Sequence, residues 1–129
     1  MITSVPKWLV SSGATSAALQ ELQREVGCLP PSYLNILSLG NGGEVALRIS
    51  PFTLCLDSAE SVLDYWRSGT YTKNGVIVFG GNGGGSLLAF DLHTSGQWPV
   101  VCFDPIDPEG STEVVAPTFE ALLELCEET

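Results

Sequence analysis

Apolar residues recur at helical spacing in four segments of the chain. In the first segment Leu19, Leu22 and Val26 lie at i, i+3 and i+7, and Gly27 follows as a typical helix end. The predicted inner faces of the other three are Tyr33, Leu34 and Leu37; Ala59, Val62, Leu63 and Trp66; and Phe119, Leu122, Leu123 and Cys126. The pattern predicts helices over residues 15–26 and 117–127, and between them two helices that end at Gly40 and Gly69.

Short apolar runs between these helices predict β-strands, because turn residues flank each run. The predicted strands are residues 44–49, 52–56, 76–79, 87–91, 99–104 and 113–116. N-terminal helices, a middle helix and a C-terminal helix around these strands favour a single α+β domain over residues 1–129, with a mainly antiparallel sheet. Residues 1–14 show neither pattern and are expected to be a loosely attached N-terminal segment.

Five glycines lie within residues 80–86, between two of the predicted strands. A glycine loop that binds phosphate must open a helix and, in the Walker pattern, end in Gly-Lys-Ser/Thr. Here a strand follows, and no lysine occurs after Lys73. The segment therefore predicts a β-hairpin whose glycines supply positive φ or make room for another group. A nest of exposed backbone amides that binds a small anion stays open as a less favoured function.

Charge is distributed very unevenly along the chain. The sequence has 15 acidic and 5 basic residues, for a net charge of −10. From Asn74 onward there is no lysine or arginine, and the carboxylates there are Asp91, Asp104, Asp107, Glu109, Glu113, Glu120, Glu124, Glu127 and Glu128. Such a field repels nucleic acid and anionic membranes and attracts a basic protein, although an acidic surface also serves solubility alone.

Several sequence features that are absent bear on the compartment of the protein and on its cofactors. No apolar run approaches the length of a membrane span, and residues 1–10 do not fit a signal peptide, so we expect a cytoplasmic protein. No cysteine pair has C-x-x-C spacing, and Cys28, Cys55, Cys102 and Cys126 are expected to be free, buried thiols. His93 is the single histidine. We predict no metal and no cofactor.

Three blocks of sequence resemble a known family. They are L-P-P-S-Y-L-N-I-L at residues 29–37 with N-G-G-E at 41–44, G-G-N-G-G-G-S-L-L-A-F-D at 80–91, and V-A-P-T-F-E-A-L-L at 115–123. In this order they resemble the signature of the SUKH superfamily, from about residue 15 onward. Ile36 and Thr118 replace the usual phenylalanine and serine, which keeps an apolar core residue and a hydroxyl near a helix start.

The resemblance implies a non-enzymatic binding protein. Bacterial SUKH members are chiefly immunity proteins that block polymorphic toxins, many of them nucleases, and a eukaryotic relative regulates cell-wall synthesis through protein partners. We therefore expect stoichiometric occlusion of a basic toxin domain by an acidic face, because carboxylates can occupy a groove that binds phosphate. The alternative is a regulatory interaction module that does not inhibit its partner. The pattern leaves monomer and homodimer open.

Residues 103–110 are the expected contact surface under this hypothesis. Two prolines restrain the segment and lower the cost of presenting Asp104, Asp107 and Glu109. A solvated turn is the plainer interpretation, and calcium is disfavoured because the ligand spacing of an EF-hand is missing. Further candidate partner-binding residues are Glu113, Asp91 and Trp98, the last as an exposed anchor or a residue packed at a strand edge.

Catalysis is not predicted. His93 follows Asp91 by two residues, so an acid–base pair is conceivable, but a lone histidine at a strand end is more often a surface residue. Ser86 is the nearest serine, and it lies in the glycine hairpin without a G-x-S-x-G elbow.

Overall fold

The computed structural model describes residues 5–94 and 96–127. The helices there are α1 (Ser16–Val26), α2 (Pro31–Leu39), α3 (Ala59–Ser68), α4 (Pro108–Ser111) and α5 (Phe119–Glu124), with one turn of 3-10 helix at Thr72–Asn74. The strands are β1 (Gly43–Ala46), β2 (Thr53–Leu56), β3 (Val76–Gly81), β4 (Leu87–Asp91), β5 (Val100–Phe103) and β6 (Glu113–Ala116). They form one antiparallel sheet in the order β1-β2-β3-β4-β5-β6, which confirms the α+β prediction.

Local sequence signals set the helix ends. The side-chain oxygens of Thr15, Ser58 and Thr118 each accept a backbone N–H from the residue three positions on, at 3.0 or 3.1 Å. These caps satisfy donors that the first helical turn leaves without a partner. At the other end of α1 and α3, Gly27 and Gly69 adopt positive φ angles of 100° and 72°. The predicted ends of these two helices are thereby confirmed.

The glycine-rich segment forms the predicted hairpin between β3 and β4. Gly83 has a φ of 77°, which a residue with a side chain rarely adopts. Gly80 makes room for another group, which was the other role predicted for these glycines. A Cβ atom at this position would lie 2.4 Å from the carbonyl oxygen of Cys55 on β2. Its missing side chain lets β2 pair closely with β3.

The main core lies on one face of the sheet, here called the inner face, beneath the helices. Four rings with no measurable exposure, Tyr33, Phe79, Phe90 and Phe119, meet there, and the Phe79 and Phe90 centroids are 4.4 Å apart. The opposite, outer face carries a second apolar cluster of Val76, Val78, Ala89, Val101 and Phe103. Strands β3, β4 and β5 are therefore buried on both faces, which explains their nearly continuous apolar sequence.

Replacing Tyr33 by phenylalanine is expected to stabilise the fold. The Tyr33 hydroxyl is buried and has no hydrogen-bond partner among the residues described. A buried polar group without a partner costs about 1–3 kcal/mol, so we expect the free energy of unfolding of Tyr33→Phe to rise by about 1 kcal/mol or more. Urea denaturation measures the change. A loss of stability would show that the hydroxyl makes a favourable interaction.

Two expectations need correction. Of the N-terminal segment expected at residues 1–14, residues 1–4 lie outside the described residues. Residues 8–14 are not loosely attached, because Trp8 O accepts the N–H of Glu44 at 3.3 Å and Ala14 N donates to Leu37 O at 2.7 Å. All four cysteines are free thiols as predicted, but Cys126 alone is buried. Cys55 and Cys102 are half-buried, and Cys28 is exposed, because it lies just after α1 in a connecting segment.

No helix in the described part of the chain is long and apolar enough to cross a membrane.

Candidate functional site

Residues 104–111, which we call the acidic turn, connect β5 to β6. The segment was predicted as a restrained loop or a solvated turn, and it contains the short helix α4 with Pro108 in its first turn. Ser111 ties the two ends of the turn together. Its Oγ accepts the Asp104 N–H at 2.7 Å and donates to the Asp107 carbonyl at 2.6 Å.

Two carboxylates of the acidic turn help to build it. Asp104 Oδ1 accepts the N–H of Ile106 at 2.9 Å, and Asp107 Oδ1 accepts the N–H of Gly110 at 3.2 Å as the cap of α4. Both side chains belong to exposed residues. The turn therefore presents two negative charges on a backbone that is already ordered in the free protein. This order lowers the entropic cost of binding a partner.

Ile106 lies at the tip of the acidic turn, and sequence reasoning included it in the expected contact segment but gave it no role of its own. Its side chain is 92% exposed, more than any other large apolar residue in the described part of the chain. An exposed aliphatic residue flanked by charges can provide the apolar centre and polar rim that protein-binding surfaces combine. The sequence contained a sign of this exposure. Ile106 is the one apolar side chain in D-P-I-D-P apart from the prolines, and it belongs to no helical or strand periodicity that would bury it.

Asp91 and Glu109 lie together in a cleft on the outer face of the sheet. The cleft has a volume of about 260 Å³ and is lined in part by His93. Asp91 Oδ1 accepts hydrogen bonds from the His93 backbone N–H at 2.9 Å and from ring atom Nδ1 at 2.6 Å. The structure thus forms the Asp91–His93 pair that the spacing suggested, with His93 largely exposed.

Glu113 and Trp98 lie elsewhere. Glu113 pairs with Cys102 on β5, so its side chain projects from the inner face, whereas Asp91 pairs with Val76 and projects from the outer face. Trp98 is half-buried and packs against Phe90 with a centroid distance of 6.1 Å. It lines a separate cavity of about 330 Å³ beside the start of α2. The six predicted contact residues therefore do not form one surface.

The two remaining chemical hypotheses find no support in the geometry. Ser86 and His93 lie beyond opposite ends of β4, which is too far apart for a nucleophile and its base. Asn82 Oδ1 accepts the backbone N–H groups of Gly84 and Ser86 at 2.8 and 3.0 Å, which removes two donors that an anion nest in the hairpin would use. Residues 5–94 and 96–127 contain no cluster of side chains able to hold a metal ion.

Two of the five basic side chains are engaged away from the acidic turn. Arg67 on α3 is ion-paired with Glu21 and Glu25 of α1, on the helical side of the sheet. The hydrogen bond from Arg67 holds the pKa of Glu25 below its usual value. Arg48 donates to the backbone carbonyl of Glu124 at 3.2 Å. These pairs leave the negative charge of the acidic turn without compensation from either arginine.

Comparison with known protein families gives a match over most of the chain. The family model described as SMI1 / KNR4 family (SUKH-1) matches residues 13–125, which is most of the chain. The match spans all three sequence blocks that carried the resemblance and includes the acidic turn. No curated protein matches the chain.

Proposed function

The chain belongs to the SMI1 / KNR4 family (SUKH-1), and from that premise we propose that it is a non-enzymatic, cytoplasmic immunity protein. It binds a basic toxin domain one to one and blocks access of the toxin's substrate. A nuclease is the toxin class that fits best, because its groove is built to hold a polyanion.

The acidic turn is the observation that carries this proposal. Asp104 and Asp107 stay exposed while their own hydrogen bonds hold the turn in place, and Glu109 follows in the first turn of α4. A preorganised anionic surface raises the association rate with a basic partner and selects against acidic ones. Ile106 adds an apolar contact at the centre of these charges.

A regulatory interaction module is the second candidate, and Ile106 is the observation that favours it. An apolar tip can anchor a partner without a strong charge requirement. Such binding depends little on salt and does not need to cover an active site. The two functions therefore differ in salt dependence and in inhibition of the partner.

Capture of the partner at low and high salt tests the proposed function. We expect one basic toxin domain in a one-to-one complex, whose dissociation constant rises about tenfold or more between low and high salt. Purified protein should also abolish the toxin's activity at an equimolar ratio. Several partners, an acidic partner, or binding without inhibition would support the regulatory module instead.

Replacing Ile106 by alanine is expected to weaken the complex without affecting the fold. Because the side chain is 92% exposed, the melting temperature should not change. Burial of an isoleucine at an interface contributes roughly 1–2 kcal/mol, so calorimetry should show about a tenfold loss of affinity. Ile49→Ala in the turn between β1 and β2 is the matched control, since Ile49 is also exposed but lies near the other edge of the sheet. Equal losses in both variants would place the contact elsewhere.

A further inference from the structure

The cleft on the outer face, which we call the rim cleft, combines an apolar floor with a polar rim. Val76, Val101 and Phe103 line it with exposures of 8%, 1% and 3%. Asp91 and Glu109 stand at its rim, from β4 and α4 respectively. A ligand that fits must therefore offer an apolar stem to the floor and a positive charge to the rim.

The rim carboxylates retain free acceptor atoms. Asp91 uses Oδ1 for its two hydrogen bonds to His93, and among the side chains that the structure describes none donates to Asp91 Oδ2 or to the Glu109 carboxylate. Two carboxylates with free acceptor atoms beside an apolar surface attract a cation, and the lower local dielectric constant there strengthens the attraction.

His93 shapes one wall of the rim cleft. Its ring is held by Asp91 and lies directly against Gly75, where a Cβ atom would be 2.4 Å from ring atom Nε2. Gly75 has a φ of 76°, a backbone conformation that favours glycine, and its missing side chain leaves room for the ring. The wall is therefore built into the fold.

The size of the rim cleft suits one side chain. Pockets for whole small molecules measure roughly 300–1,000 Å³, and this cleft measures about 260 Å³. A guanidinium has five N–H donors, is weakly hydrated and stacks on aromatic rings, whereas an ammonium is compact and strongly hydrated. The two carboxylates at the rim match the several donors and the weak hydration of the guanidinium better.

We propose that the rim cleft receives one arginine side chain of the bound partner, with its stem over Val101 and Phe103 and its guanidinium between Asp91 and Glu109. The inference rests on the proposed function, since it names a contact that a basic toxin makes. Glu109 links the rim cleft to the acidic turn, so one partner surface can cover both. The cleft then supplies geometric specificity, while the acidic turn supplies long-range attraction.

A small probe tests the cleft without any toxin. N-acetyl-arginine amide is titrated into the full chain to about 100 mM and followed by backbone amide NMR shifts, because a single side chain binds in the millimolar range. We expect saturable shifts around residues 76, 101 and 103. The citrulline analogue, which has the same shape and no charge, should cause no saturable shifts there. The lysine analogue should bind more weakly.

Asp91→Asn with Glu109→Gln should weaken probe binding about fivefold or more, because both substitutions keep the size of the side chain and remove its charge. Glu120→Gln with Glu124→Gln on α5 is the matched control, with the same change in net charge. Binding of citrulline equal to arginine, tighter binding of lysine, shifts elsewhere, or no saturable shift would each overturn the proposal.

The two proposals fail in different ways. Probe binding in the rim cleft does not depend on whether the partner is a toxin. If the arginine probe binds but the captured partner is not inhibited, the immunity role fails and the cleft stands. If a toxin is inhibited with unchanged affinity by Asp91→Asn with Glu109→Gln, the cleft proposal fails and the immunity role stands.

Discussion

Replacing Asp104 and Asp107 together by lysine should weaken the complex with a basic toxin by about 3 kcal/mol, on the order of 100-fold. Each substitution changes the local charge by two units and removes an oxygen that orders the acidic turn. The loss should appear mainly in the association rate at low salt and shrink at high salt. Stopped-flow kinetics and calorimetry at two salt concentrations measure both effects. Glu109 is left unchanged because it also lines the rim cleft.

Asparagine at the same two positions separates charge from preorganisation. Asp104→Asn with Asp107→Asn keeps the Oδ1 acceptors for Ile106 and Gly110 and removes the charge, so we expect about a tenfold loss. Glu124→Lys with Glu127→Lys is the control for net charge, since these residues lie near β1 at the other edge of the sheet. If the control pair weakens binding as much as the lysine pair, the acidic turn is not the contact surface.

Replacing Phe90 by alanine should destabilise the fold by about 3–5 kcal/mol, a large share of the roughly 5–15 kcal/mol that holds a domain of this size together. Phe90 is fully buried, stacks on Phe79 and meets Tyr33 and Phe119 edge to face, so it joins the sheet to α2 and α5. Truncation removes these ring contacts and the one to Trp98, and it leaves a cavity. Urea denaturation gives the free energy of unfolding.

Two control variants test whether the loss of stability comes from removing the buried ring. Phe90→Leu keeps most of the volume and should lose much less stability, about 1 kcal/mol. Phe52→Ala should change stability little, because the Phe52 ring is 63% exposed. A loss below about 1 kcal/mol for Phe90→Ala would mean that the surrounding rings close the cavity. Loss of toxin binding by Phe90→Ala at a temperature where it stays folded would also contradict a purely structural role.

Local sequence patterns predicted most of the fold because helix caps and hairpins form between residues that are close in the sequence. Thr15 and Ser58 are caps whose acceptors lie within three residues of their donors, and the glycine hairpin closes between neighbouring strands. The sheet order follows for the same reason, since every strand pairs with the one before it. Strand ends were less predictable. Residues 47–49, expected in the first strand, turn away after Leu47 forms an isolated bridge with Cys126.

The candidate site was predictable only in part. The acidic turn was located from composition, because three carboxylates and two prolines in one short segment are visible in the sequence. The exposure of Ile106 and the capping role of Asp107 depend on how α4 packs. The spacing of apolar residues in the sequence does not predict that packing. Trp98 and Glu113 were grouped with the acidic turn by charge and type, yet they lie on other surfaces.

The sequence by itself determined the order of the elements apart from α4 and the 3-10 turn, the antiparallel α+β class, the family and the concentration of negative charge in the second half. These depend on spacing, turn residues and counts, all of which are local or additive. Tertiary structure alone decided which charges share a surface. Asp91 and Glu109 are 18 positions apart and meet at the rim cleft because β4 and α4 border the same face of the sheet. Side chains on successive strand residues point to opposite faces, so pairing and register decide which charges act together.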